Sequence, residues 1–162
     1  MTSPDTQTTP KQRERSALRH LESLDGLLRM GEEPDEIWYE VNQTSDKCAE
    51  EYCAWLALRG IQFPLEGIKI MLRGLFEFTY LHHWSGRAAI RNLTKAKIAE
   101  FYQPFSGTEL ETASGLLSPG ELLVLFFQFL SDAGYDINAK RLADEITRLR
   151  PKAQRPRRQA AQ

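Results

Sequence analysis

One stretch, Pro64 to Trp84 (PLEGIKIMLRGLFEFTYLHHW), limits the folds open to this chain. At a helical period, Glu66, Lys69, Arg73 and Glu77 share a narrow stripe, and nearly every other position is apolar. A helix apolar over most of its circumference has to be covered on several sides, so the stretch predicts the centre of a helical bundle. Pro64 suits the first helical position, where its missing N–H costs nothing. Pro119 to Ala133 repeats the pattern. There Leu122, Leu123, Val124, Leu125, Phe126, Phe127, Phe129 and Leu130 are interrupted only by Glu121, Gln128 and Asp132, on one stripe. Ser118-Pro119 ahead of it is a clear start signal, an N-cap serine followed by proline at the first position. The two apolar helices are expected to pack against each other.

Thinner amphipathic helices account for the rest. Arg13 to Met30 carries Ala17, Leu18, Leu21, Leu24 and Leu28 on one face and stops at Gly31. Pro34 opens a short helix through about Asn42, and Thr44-Ser45-Asp46 offers an N-cap for another from Lys47 to Arg59. Residues 87–93 have room for a turn or two. Thr94 caps a helix through Tyr102, Thr108 starts a short helix ending around Leu117, and Asn138 caps Ala139 to Leu149. No run alternates as a strand would. The reading is a single all-α domain over residues 13–150, a bundle of six to eight helices, with a disordered tail at 1–12 and a disordered basic tail at 151–162.

Chemistry is sparse. With 162 residues and a formal net charge of −1, whole-chain charge selects neither nucleic acid nor membrane. The longest apolar run, Leu122 to Leu130, falls short of the ~20 residues a membrane span needs. The N-terminal residues have no apolar core of a signal peptide, and Cys48 and Cys53 are expected as free thiols, so a soluble, cytoplasmic protein is expected. Five residues apart on a helix, the cysteines point about 140° away from each other and cannot bond. Cys53 is expected to face the core and Cys48 to lie beside acids, where its thiol is a poor nucleophile. No G-x-S-x-G, Gly-rich phosphate loop or H-E-x-x-H occurs. No catalytic residue, metal ligand or cofactor is therefore assigned.

Five stretches are candidate sites. Adjacent His82 and His83 point about 100° apart and lack further ligands at useful spacing, so a metal is rejected in favour of histidines at a helix C-terminus. From Glu77 to Glu100 there is no acid, and Arg87, Arg91, Lys95 and Lys97 lie there beside His82, His83 and Trp84. A basic strip with aromatic rings suits phosphate or stacked bases, although a solvated face explains it too. The same two readings apply to the tail with Arg155, Arg157 and Arg158. Residues 98–116 have a helix–turn–helix rhythm, but Glu109 and Glu111 would face the phosphates, so DNA reading by this segment is rejected. Finally, Asp25 to Glu51 holds nine acids (Asp25, Glu32, Glu33, Asp35, Glu36, Glu40, Asp46, Glu50, Glu51) against Arg29 and Lys47. Trp38 and Tyr39 lie within it, and one short helix cannot readily turn both inward. With Glu36 and Glu40 they form the candidate partner surface. The expected function is a non-enzymatic protein-binding or regulatory module, an adaptor or a self-associating homodimer; the alternative is a nucleic-acid-associated regulator.

Overall fold

The computed structural model describes residues 10–31, 34–81, 87–103, 110–112 and 115–149. It is a helical bundle with one short strand pair. Its helices are α1 (Pro10–Arg29), α2 (Pro34–Leu58), α3 (Leu65–Leu81), α4 (Lys95–Tyr102), α5 (Pro119–Asp132) and α6 (Ala139–Leu149), with a 3-10 turn at Ile90–Asn92. The tails at 1–9 and 150–162 lie outside the described residues, as do His82, His83 and Trp84. No helix among the described residues is long and apolar enough to cross a membrane.

Three expectations need correction. First, α2 is one continuous helix. The Thr44-Ser45-Asp46 triplet does not cap a new helix, because Thr44 is buried and the side chains of Ser45 and Asp46 are used otherwise. Ser45 is buried and donates Oγ to the Asn42 carbonyl one turn back, and Asp46 pairs with Arg73 of α3 at 3.2 Å. No Gly or Pro lies between Pro34 and Leu58 to break the helix. Second, the segment expected as a short helix ending near Leu117 is a two-stranded antiparallel hairpin, β1 (Leu110–Thr112) with β2 (Gly115–Leu117), in register Leu110↔Leu117 and Thr112↔Gly115. A Gly inside a helix costs about 1 kcal/mol, and so short an apolar run has no decisive period. Third, α3 and α5 do not lie side by side. α3 lies along α2, and α5 lies along α6. The two apolar helices share the core and touch where Phe76 meets Phe126, ring centroids 6.4 Å apart.

The axis of the bundle is consequently α2, which touches α1, α3 and α5. Its buried face sets Tyr52 against Phe126 and Phe129, with ring centroids 5.2 and 5.5 Å apart, and Trp55 against Phe129 at 5.9 Å. Edge-on and tilted aromatic pairs of this kind add ~0.5–1.5 kcal/mol each to their area burial. The Tyr52 hydroxyl, fully inside, donates to the Leu122 carbonyl at 2.7 Å, so the polar tip of the ring is satisfied where its body packs. Cys53 packs against the core as expected, half-buried with its thiol on the Phe63 carbonyl, and Cys48, beside the acid Glu51 as expected, is in addition fully buried. On α3, Ile70 is 74% exposed, because it falls between Glu66 and Arg73 on the polar stripe.

Several ends follow the sequence. Ser118 Oγ accepts from the Glu121 amide at 3.1 Å while Glu121 accepts from the Ser118 amide at 3.0 Å, a complete capping box. Thr94 accepts from Lys97 N, and Asn138 from Arg141 N. After α5, Gly134 takes φ +98°. Its amide returns to the Ser131 carbonyl and the Tyr135 amide to the Leu130 carbonyl. This left-handed stop turns Tyr135 back toward the bundle, and the consequence appears below.

Thr44 makes a first prediction. It is buried in α2, and its Oγ1 has no hydrogen-bond partner. Thr44→Val keeps the shape and removes a desolvated hydroxyl, so unfolding free energy should rise by roughly 1 kcal/mol in urea titration. A destabilised variant would show that the hydroxyl is bonded after all.

Candidate functional site

Two places gather chemical groups, one inside the bundle and one on its surface. The inner one centres on Asp25, which is 1% exposed although it is a carboxylate on the apolar side of α1. It accepts from the Tyr80 hydroxyl at 2.5 Å, from the Tyr135 hydroxyl at 2.6 Å and from Arg91 Nε at 2.9 Å. Lengths of this order are those of charge-assisted bonds. Each hydroxyl also accepts a backbone N–H, Tyr80 from Ile90 and Tyr135 from Arg91, both at 3.1 Å. Arg91 reaches on to Glu22 at 2.6 Å and lays its guanidinium over the Tyr135 ring, 4.7 Å from the centroid. One carboxylate thus ties together α1, α3, the 3-10 turn and the turn after α5.

Burial, joined by the nearby negative charge of Asp25, pushes both phenols well above their ordinary range. Burial works against the Arg91 charge, but hydrogen bonds to Asp25 and Glu22 outweigh it and raise its pKa. The phenols are therefore held as donors and the guanidinium as a cation. Neither surface hollow described below is lined by these residues. The arrangement fixes protons in place, and we read it as the polar staple of the fold. Sequence reasoning placed Asp25 in the acidic segment and Arg91 in the basic strip and missed their union. The available signal was Asp25 itself, four residues after Leu21 and three before Leu28, inside an apolar stripe.

The basic strip is divided by this network. Arg91 is committed to Asp25 and Glu22. Arg87 and Lys97 are half-buried, and each engages another residue. Lys95 is exposed. It lines a hollow of about 230 Å³ with Asn138, Lys140, Arg141 and Asp144, in which Lys140 is paired with Asp144 at 3.1 Å. The other proposed contributors, His82, His83, Trp84, Arg155, Arg157 and Arg158, lie outside the described residues. No cluster of His, Cys, Asp or Glu able to hold a metal occurs among the described residues.

The surface place is the N-terminal half of α2. Ile37 and Val41 turn inward, which leaves Trp38 52% and Tyr39 58% exposed on successive positions. Glu36 is exposed, and Glu40 is half-buried at the edge of a groove of about 310 Å³. Arg19, His20 and Ser23 of α1 line one side of that groove, with Glu40 and Gln43 of α2 on the other. Met30, just after α1, is exposed as well. No protein-family model, curated protein or solved structure matches this chain.

Proposed function

We propose that the chain is a non-enzymatic protein-binding module, regulatory or adaptor in kind, whose partner docks on the outer face of α2 around Trp38 and Tyr39. The observation that carries this reading is the pair of consecutive, half-exposed large aromatics on a rigid helix. Rings that large dominate interface energetics, and Trp and Tyr lead among hot-spot residues. Covering the exposed remainder of each ring, roughly 100 Å² apiece, is worth about 2–3 kcal/mol per ring at ~25 cal/mol per Å². The rest of α2 supports a rigid platform, since its opposite face is anchored to α1, α3 and α5. A preformed surface avoids much of the ordering cost of association.

Replacing both rings, Trp38→Ala with Tyr39→Ala, should leave thermal stability almost unchanged, because neither side chain belongs to the core cluster. Association should be lost: proteins captured by the wild type but not by the double variant, or a mass doubling in light scattering abolished by it, are the expected result. If the wild type is monomeric at all concentrations and both proteins retain the same set of partners, the reading fails.

A further inference from the structure

We infer that the groove between α1 and α2 is a binding site for a small zwitterion, a molecule with a carboxylate at one end and an ammonium group at the other. The inference goes beyond the protein-docking face and uses neither Trp38 nor Tyr39.

The two walls carry opposite charge. Arg19, with His20 and Ser23, stands on the α1 side, and Glu40, with Gln43, on the α2 side. Arg19, Ser23 and Gln43 are exposed, and His20 and Glu40 are half-buried. All five side chains can hydrogen-bond, yet among the described residues none of them has a hydrogen bond or an ion pair. Elsewhere this fold joins such groups. Along the same two helices, Glu51 of α2 accepts from the Ala17 amide of α1 at 3.3 Å and meets the Lys47 ammonium at 3.5 Å. In the hollow beside α6, Lys140 and Asp144 are paired at 3.1 Å. The groove instead keeps a guanidinium and a carboxylate apart around a space of about 310 Å³. That volume lies at the small end of ligand pockets, and clefts between the helices of a bundle are a usual place for them.

Charge and lining select the ligand. Arg19 offers a fork of N–H donors that suits a carboxylate, and Glu40 accepts from an ammonium group. Ser23, Gln43 and His20 each offer donor and acceptor atoms and so serve either end. Among the described residues no apolar side chain lines the groove, so an oily ligand gains little there. One charge of each sign makes the groove dipolar. A purely anionic ligand meets Glu40 and a purely cationic one meets Arg19, whereas a dipolar molecule satisfies both at once.

The full chain is titrated with glycine, γ-aminobutyrate and 6-aminohexanoate, which set the two charges progressively further apart, and with butyrate and butylamine, which carry one charge each. NMR shifts of the amides and of the His20 ring report binding. At least one zwitterion should bind about fivefold more tightly than either single-charge probe, with its largest shifts at His20 and Gln43. Its affinity should fall about five- to tenfold in Arg19→Gln and in Glu40→Gln, with unchanged melting because neither side chain has a partner in the fold. Exchanging the charges, Arg19→Glu with Glu40→Arg, should restore binding with the ligand reversed, which a purely structural role for the two residues would not produce. No shifts from any zwitterion up to about 10 mM overturn the inference. So does equal binding of butyrate or butylamine, affinity indifferent to both single substitutions, or shifts that map away from the groove. None of these results bears on capture through Trp38 and Tyr39, so the two readings fail separately.

Discussion

Asp25→Ala should lower the unfolding free energy by about 3–5 kcal/mol, the scale seen when one member of a buried charged network is removed. The substitution takes away the acceptor of three hydrogen bonds at once: Tyr80, Tyr135 and Arg91. Two phenols are left to donate inside the bundle with nothing to receive them, each at a cost of ~1–3 kcal/mol. Arg91 loses less, because it keeps Glu22, and its side chain is partly exposed. For a domain of this size the change corresponds to a fall in melting temperature of roughly 10 °C. Asp25→Asn retains one carbonyl acceptor and should cost less than the alanine change. Tyr80→Phe with Tyr135→Phe in the Asp25→Ala background should recover part of the loss, because the stranded hydroxyls are then gone. Urea titration of the four proteins measures all of this. If Asp25→Ala costs under 1 kcal/mol, the network does not hold α1, α3 and the post-α5 turn together.

This network also marks the limit of what the sequence makes legible. Helix existence follows from apolar periodicity and caps, and the starts at Thr94, Ser118 and Asn138 are where the side chains cap. Local signals fail where tertiary contacts reassign a residue. Ser45 reads as a cap but bonds within a continuous helix, and Asp46 reads the same way but is drawn to Arg73. Helix-to-helix adjacency fails for a different reason. The apolar pattern reports how much of a helix is covered and is silent about what covers it, so α3 and α5 looked like mates when α2 is the shared neighbour. The surface face at Trp38 and Tyr39 was legible because Ile37 and Val41 already supply the inward positions of that turn. The Asp25 node was not, since its members come from four separate segments and two of them were absorbed into charge-run arguments.

The same buried hydroxyls, together with Cys48, make the fold labile to base. The sign follows from where the protons are held. Burial, reinforced by Glu51, raises the Cys48 thiol above its ordinary value of 9.0, and burial raises Tyr52, Tyr80 and Tyr135 above 10.0. Below those ordinary values both folded and unfolded chains keep the protons, and the stabilisation is fully present. Above them the unfolded chain releases protons that the folded chain retains, so stability falls with rising pH by up to ~1.4 kcal/mol per unit for each group. The loss should begin near pH 9 with Cys48 and steepen past pH 10, where four groups together approach ~5 kcal/mol per pH unit. A domain with a total stability of ~5–15 kcal/mol should then unfold in one steep step near pH 11. Circular dichroism and tyrosinate absorbance, followed together against pH, should show helix loss and the late tyrosinate rise in the same step. Cys48→Ala should delay only the onset. If the buried phenols ionise near pH 10 while the helices remain, Tyr80 and Tyr135 are not sealed against Asp25, and the staple loses its physical basis.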